Sequence, residues 1–130
     1  MINYPDLNKD NIRYQSAFGK KLVISFCASW CNNCESWKDT FTLLSEKFID
    51  DCFIWIDIDE YPELVSEIDL DIIPVLLIQK KEDIHFLGPI RPGLETIVSI
   101  LNSDKVMKVE FDPGIRDYLI ALDLPKRTIY

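Results

Sequence analysis

Cys31 and Cys34 stand three residues apart in the stretch Ser29-Trp30-Cys31-Asn32-Asn33-Cys34. Two thiols at that spacing share one face of a helix, so their sulfurs can meet as a dithiol–disulfide couple. The residues before them, Leu22 to Ala28, are nearly all apolar and rich in β-branched side chains, which suits a central strand buried on both faces. From Asn32 to Ile49 the period changes. Cys34, Trp37, Phe41, Leu44 and Phe48 recur at steps of three and four, the mark of one helical face. The pair therefore falls where a buried strand ends and a helix begins. There the unpaired backbone N–H groups and the positive end of the macrodipole favour an anion, and the thiolate is the reactive form of cysteine. Cys31 is the expected nucleophile. Cys34 continues the apolar face and is the expected buried, resolving thiol.

The other cysteines read differently. Cys27 lies four residues before Cys31, where it could form an alternative disulfide or be modified under oxidation. The plainer reading, a small buried apolar residue, is preferred. Cys52 is expected to be inert. Four thiolates could also hold a metal, but Cys27 lies within a strand and Cys52 precedes one, so neither forms a second ligand knuckle. The expected metal content is none. His85, the single histidine, has no nucleophile near it in sequence. Asp57, Asp59 and Glu60 at a strand end read as a solvated rim rather than an acid–base pair.

The elements that must position the pair alternate along the chain. Ile2 to Tyr4 reads as a short strand. Asn8 to Phe18 reads as a helix with Ile12, Tyr14, Ala17 and Phe18 on its apolar face and Gly19 at C′. Phe53 to Ile58 reads as a second buried strand, with Trp37 and Trp55 in the core. Pro62 to Ile68 is expected to be a short helix opened by its proline. Val75 to Ile78 and Ile84 to Leu87 are strands across a polar turn, the second antiparallel. Leu94 to Leu101 is a helix with Leu94, Ile97, Val98 and Leu101 on one face. Met107, Val109 and Phe111 then alternate. Asp112-Pro113 is expected to cap a helix carrying Ile115, Tyr118, Leu119 and Leu122, ended by Pro125-Lys126-Arg127. This order belongs to an α/β domain with a mixed sheet.

At 130 residues the chain has room for one domain, large enough to fold without a disulfide or metal staple. Hydrophobic residues at 48% and charged residues at 28% exclude disorder, and only 4 glycines exclude a Gly-rich linker. The net charge of −8 opposes phosphate backbones and anionic lipid, so neither nucleic acid nor membrane is an expected partner. The longest apolar runs are strand-sized. The start, Met1-Ile2-Asn3-Tyr4-Pro5-Asp6, has no basic or apolar leader region, which points to a cytoplasmic location.

The stretch Val23-Ile24-Ser25-Phe26-Cys27-Ala28-Ser29-Trp30-Cys31-Asn32-Asn33-Cys34 resembles the active-site segment of the thioredoxin family, a strand followed by A-x-W-C-x-x-C and a helix. Ile56-Asp57-Ile58-Asp59 resembles the family's next central strand, Ile73-Pro74-Val75-Leu76 its I-P-T-L segment, and Phe86-Leu87-Gly88 its late strand with a glycine. The likeness covers about residues 1–102. It implies a thioredoxin fold, a central mixed β-sheet flanked by helices. Residues 103–130 are then a C-terminal strand/helix extension packed on the domain. It further implies that Trp30 shields the disulfide and lines the substrate surface. Pro74 follows a cis bond and leaves the backbone of Ile73 free to pair with a substrate strand, and Gly88 allows close approach beside that groove.

Three departures stand out. Asn32-Asn33 replaces the family's Gly-Pro, which alters the stability of the reduced form and so the potential. Ser25 takes the place of a buried Asp, and Trp55 that of its common Lys partner, so resolution by Cys34 is expected to be slow or to use water. The expected activity is dithiol–disulfide exchange with disulfide-containing protein substrates, in the reducing direction. No bound cofactor is needed, because a reductase or other dithiol donor supplies electrons. The rival from another class is a protein-binding or assembly module with little redox turnover, favoured by the missing proton-handling pair and the tail.

Overall fold

The structure, a computed structural model of the chain, describes residues 1–91, 94–107 and 112–121. In chain order the elements are β1 (Ile2–Asn3), α1 (Lys9–Ala17), β2 (Leu22–Cys27), α2 (Asn32–Lys47), β3 (Cys52–Asp57), β4 (Val75–Lys80), β5 (Asp83–Pro89), α3 (Leu94–Leu101) and α4 (Ile115–Ile120). Among the described residues the strands form one sheet in the order β1-β3-β2-β4-β5. β2 runs parallel to β3 and antiparallel to β4, and β4 and β5 form a hairpin, so the sheet is mixed.

Strand alternation divides the core into two layers. Leu22, Ile24 and Phe26 of β2 face one side, with Ile12 of α1 and Ile115 and Leu119 of α4. Val23 and Cys27 face the other, with Cys34, Trp37 and Phe41 of α2 and Ile97 and Leu101 of α3. Every residue of β2 is buried, as its apolar run predicts.

Several local expectations are corrected. Residues 62–68 form consecutive turns, not a helix. Leu64 and Val65 are buried there, and N–H of Ile68 reaches the Val65 carbonyl. The inward face of α1 is Ile12 and Ser16, whereas Tyr14 and Phe18 stack edge-on at the surface, 64% and 66% exposed. Four residues apart on a helix they still meet each other, which the periodic pattern registers without saying which way the pair points. Gly19 takes φ +74°, as a C′ residue does. Trp55 is only partly buried, beneath the Lys38 ammonium at 5.1 Å from its ring centre.

The last described helix starts later than Asp112-Pro113 suggests. Its N-cap is Gly114, at φ +78°. One Asp112 carboxylate oxygen accepts from the Gly114 N–H at 2.8 Å, and the other accepts from the Gln79 side-chain amide at 2.9 Å. The aspartate thus ties the segment to β4 rather than capping the helix. α4 lies on α1 with Ile115 and Leu119 buried, and Arg116 donates to the Ser16 carbonyl. Met107 N–H reaches the Ile84 carbonyl at 2.7 Å. The expected features at Val109, Phe111, Leu122 and Pro125-Lys126-Arg127 lie outside the described residues.

Candidate active site

β2 ends at Cys27, whose carbonyl accepts from the Ile58 N–H at 2.9 Å. The chain then turns sharply. Cys31 N–H bonds the Ala28 carbonyl, and Cys34 N–H bonds the Cys31 carbonyl, both at 3.2 Å. Cys31 is the N-cap of α2, in extended conformation (φ −98°, ψ 118°), and half-buried. Cys34 is buried one turn into the helix, against Trp37. The two cysteines share the wall of a cavity of about 230 Å³ with Lys38, Trp55 and Asp57. Cys31 at the helix terminus with the more deeply buried Cys34 on its inner face is the placement the spacing predicts.

The bonding of the sulfurs differs from expectation. Cys34 is joined to Cys27, with Cα atoms 5.8 Å apart, and Cys31 is a free thiol. Cys27 is therefore not the inert buried residue that the plainer reading made it. Its position on β2 puts its side chain on the α2 face of the sheet, directly against the first turn of the helix. Sequence spacing of seven carries no such signal. It emerges from the parity of β2 taken together with the inward face of α2.

Ser25 and Trp37 fill the interior beside this pair. The Trp37 indole N–H donates to Ser25 Oγ at 2.9 Å, and the Ser25 hydroxyl donates to Cys27 Sγ at 3.8 Å. Cys52 stands at the other end of β3. Cys27 is in register with Asp57 and Leu22 with Cys52, so about 16 Å of strand separates Cys52 from the other three thiols. Four thiolates do not converge. Among the described residues no group of three or more His, Cys, Asp or Glu side chains is placed to hold a metal ion. Burial pushes the Cys52 thiol up to about 12.

The remaining expected groove residues lie at the same end of the sheet. Val75 pairs with Phe26, so Pro74 sits beside the Cys27 end of β2. The Ile73–Pro74 peptide is cis, and the Pro74 carbonyl accepts from Ile90 N–H at 3.0 Å. Ile73 is partly buried between the two core layers, and Ile72 beside it is 66% exposed. Gly88 pairs with Leu76, and a Cβ there would meet only the Phe86 ring, at 3.9 Å. The intramolecular packing alone does not require glycine at this position. Trp30 is 68% exposed, with its indole N–H on Asp59 Oδ2 at 3.0 Å. Asp57 accepts from the Asp59 N–H, so these rim carboxylates organise the loop that holds Trp30. His85 sits away from the thiols, its Nδ1 3.5 Å from the Ser103 carbonyl.

A family model described as Thioredoxin matches residues 6–111. The chain belongs to the thioredoxin family. Among curated relatives it is similar to thioredoxin H5 of Oryza sativa subsp. japonica, 36% identical over 77 residues, which cover 58% of this chain and 57% of the rice protein. It thus spans less than two thirds of that relative's length. The thioredoxin of Oryctolagus cuniculus is 36% identical over 88 residues, 66% of this chain and 84% of the rabbit protein. Among solved structures the poplar thioredoxin h PtTrxh4 superposes with a TM-score of 0.66 at 20% identity, covering 78% of this chain and 97% of the poplar one. The thioredoxin fold expected from the sequence is the fold found, and α4 lies beyond the residues that the family model matches.

Proposed function

We propose that this chain is a thiol–disulfide oxidoreductase acting on disulfide-containing protein substrates. The Cys31 thiolate attacks one sulfur of the substrate disulfide, forming a mixed disulfide and releasing the first substrate thiolate. Cys34 then attacks Cys31 Sγ, forming Cys31–Cys34 and releasing the second, so two electrons pass to the substrate. The observation that carries this reading is the asymmetry of the pair. Cys31 is accessible at the N-terminus of α2, and Cys34 is buried one turn behind it on the same helix.

Substrate docking is assigned to the rim formed by Trp30, Ile73, Pro74 and Gly88. The exposed apolar surface of Trp30 and Ile72 at this end supports that assignment. A reductase or other dithiol donor returns the electrons, and no bound cofactor enters. A reducing, cytoplasmic setting would make the protein a reductant. Among the described residues no helix is long and apolar enough to cross a membrane. The charge of −8 argues against nucleic acid as a partner. Residues 103–130 are proposed as an extension of a domain formed by residues 1–102, which the seating of α4 on α1 supports.

The test is insulin reduction with dithiothreitol as donor. Wild-type protein is expected to accelerate precipitation of the insulin B chain, and Cys31→Ser to abolish the acceleration. Equal rates for both proteins would overturn the reading. Two observations favour the binding-module alternative: Cys34 is joined to Cys27, not to Cys31, and Ser25 is occupied by Trp37. An inactive wild type that still captures a protein partner through the Pro74 rim would support that alternative.

A further inference from the structure

Cys34 has a thiol on each side of it. Cys31 approaches from the surface, one helical turn away, where the Cβ atoms of i and i+3 residues lie about 5–6 Å apart. Cys27 approaches from the core, with a Cα separation of 5.8 Å, inside the range that a disulfide spans. Cys27 is 1% exposed and Cys34 2% exposed, whereas Cys31 is half-buried. The same resolving sulfur can therefore sit in a surface disulfide or in a core disulfide.

The polar group beside Cys27 fits this role. Ser25 is fully buried in a central strand, where a hydroxyl needs partners. Its oxygen accepts the Trp37 indole N–H at 2.9 Å, so its own proton is free for Cys27 Sγ at 3.8 Å. That contact holds the Cys27 sulfur on the α2 face of β2, where it meets Cys34.

We propose that Cys27 is a third redox cysteine, which takes Cys34 over from Cys31 by internal disulfide exchange. The inference rests on the exchange reading only for the origin of the Cys31–Cys34 bond. Cys27 gives up its proton and attacks Cys34 Sγ. The Cys27–Cys34 bond forms as Cys31–Cys34 breaks, and Cys31 leaves as a thiolate that takes up one proton. No electron is gained or lost, so no oxidant is required. The product keeps its two oxidising equivalents in a disulfide shielded from solvent, while Cys31 is a free thiol at the surface. In that form Cys31 can still capture a disulfide, but Cys34 cannot resolve it. Attack of Cys31 on Cys34 Sγ, with Cys27 leaving, restores the surface disulfide that an external reductase can reach. The protein thus has an exchanging form and a capturing form at the same level of oxidation.

The experiment is disulfide mapping of the full chain, equilibrated in glutathione redox buffers, trapped in acid and alkylated. Chymotryptic cleavage after Trp30 puts Cys27 on a different peptide from Cys31 and Cys34. A bond within the second peptide then reports Cys31–Cys34, and a bond between the two peptides reports Cys27. Fragmentation of the linked species shows which cysteine carries the label. The expected result for wild type is a linked species with Cys31 alkylated, alongside the internal one. In Cys31→Ser a single reversible Cys27–Cys34 disulfide is expected, and in Cys27→Ser only Cys31–Cys34. The inference is overturned if wild type shows only Cys31–Cys34 at every potential. It is equally overturned if Cys31→Ser, with native circular dichroism, keeps Cys27 and Cys34 reduced throughout. Should that variant not fold, the wild-type map decides alone. Insulin reduction on the same samples reports separately on the exchange reading.

Discussion

The Trp37 indole N–H donates to Ser25 Oγ over 2.9 Å, joining the first turns of α2 to the middle of the central strand. Both residues are fully buried. Ser25→Ala removes the acceptor and leaves that buried N–H unsatisfied. The expected loss of stability is about 1–3 kcal/mol, read as a lower urea midpoint with an unchanged slope. An unchanged midpoint would mean that the indole finds another acceptor and that the hydroxyl contributes nothing to folding.

Cys52 is expected to be the slow thiol. It lies 1% exposed at the far end of β3, and burial raises it to about 12. Iodoacetamide at pH 8 should label Cys31 in reduced native protein and reach Cys52 only after unfolding. An unfolded cysteine titrates at about 8.5, so above that pH the unfolded chain binds fewer protons than the folded one. The contribution of Cys52 is thus fully present below about pH 8.5 and is lost as pH rises toward 12. Cys52→Ala should flatten the alkaline decline of the melting temperature, and an identical decline in both proteins would remove Cys52 as its cause.

Trp30 is 68% exposed and touches Asp59, so its removal should cost the fold less than about 0.5 kcal/mol. Its proposed place is on the substrate surface. Trp30→Ala is expected to lower kcat/KM on a protein disulfide roughly tenfold, equivalent to about 1.4 kcal/mol. Reduction of a small aromatic disulfide, which needs no docking surface, should change much less. Equal losses on both substrates would place the effect at the thiols instead.

α4 is part of the core. Leu119 is 1% exposed and packs in the layer that holds Ile12 and Leu64. Leu119→Ala is expected to destabilise by about 2–5 kcal/mol, measured by urea denaturation. A loss below about 0.5 kcal/mol would show that the helix is dispensable to the domain.

Local pattern determined much of this molecule. The apolar run from Leu22 becomes strand β2, Leu22–Cys27, buried on both faces because apolar side chains point to each. The steps of three and four from Cys34 to Leu44 place α2 and its inner face. Together they put Cys31 at a helix N-terminus with Cys34 one turn behind it. What the sequence could not carry is the contact between elements. Tyr14 and Phe18 carry large apolar rings beside Ile12, and only the seat of α1 on the sheet turns Ile12 and Ser16 inward. Residues 62–68 read as a helix by their proline and spacing, yet the chain there bends in turns around Leu64 and Val65. Asp112 has the form of a cap, but Gln79 of β4 stands within reach and takes one of its oxygens. The partner of Cys34 is the sharpest case. Spacing along one helix names Cys31, whereas the parity of β2 against the inner face of α2 brings Cys27 to the same sulfur. Residues linked along a helix are legible as spacing. Residues linked across a strand–helix interface depend on which faces meet, and packing of the whole domain sets that.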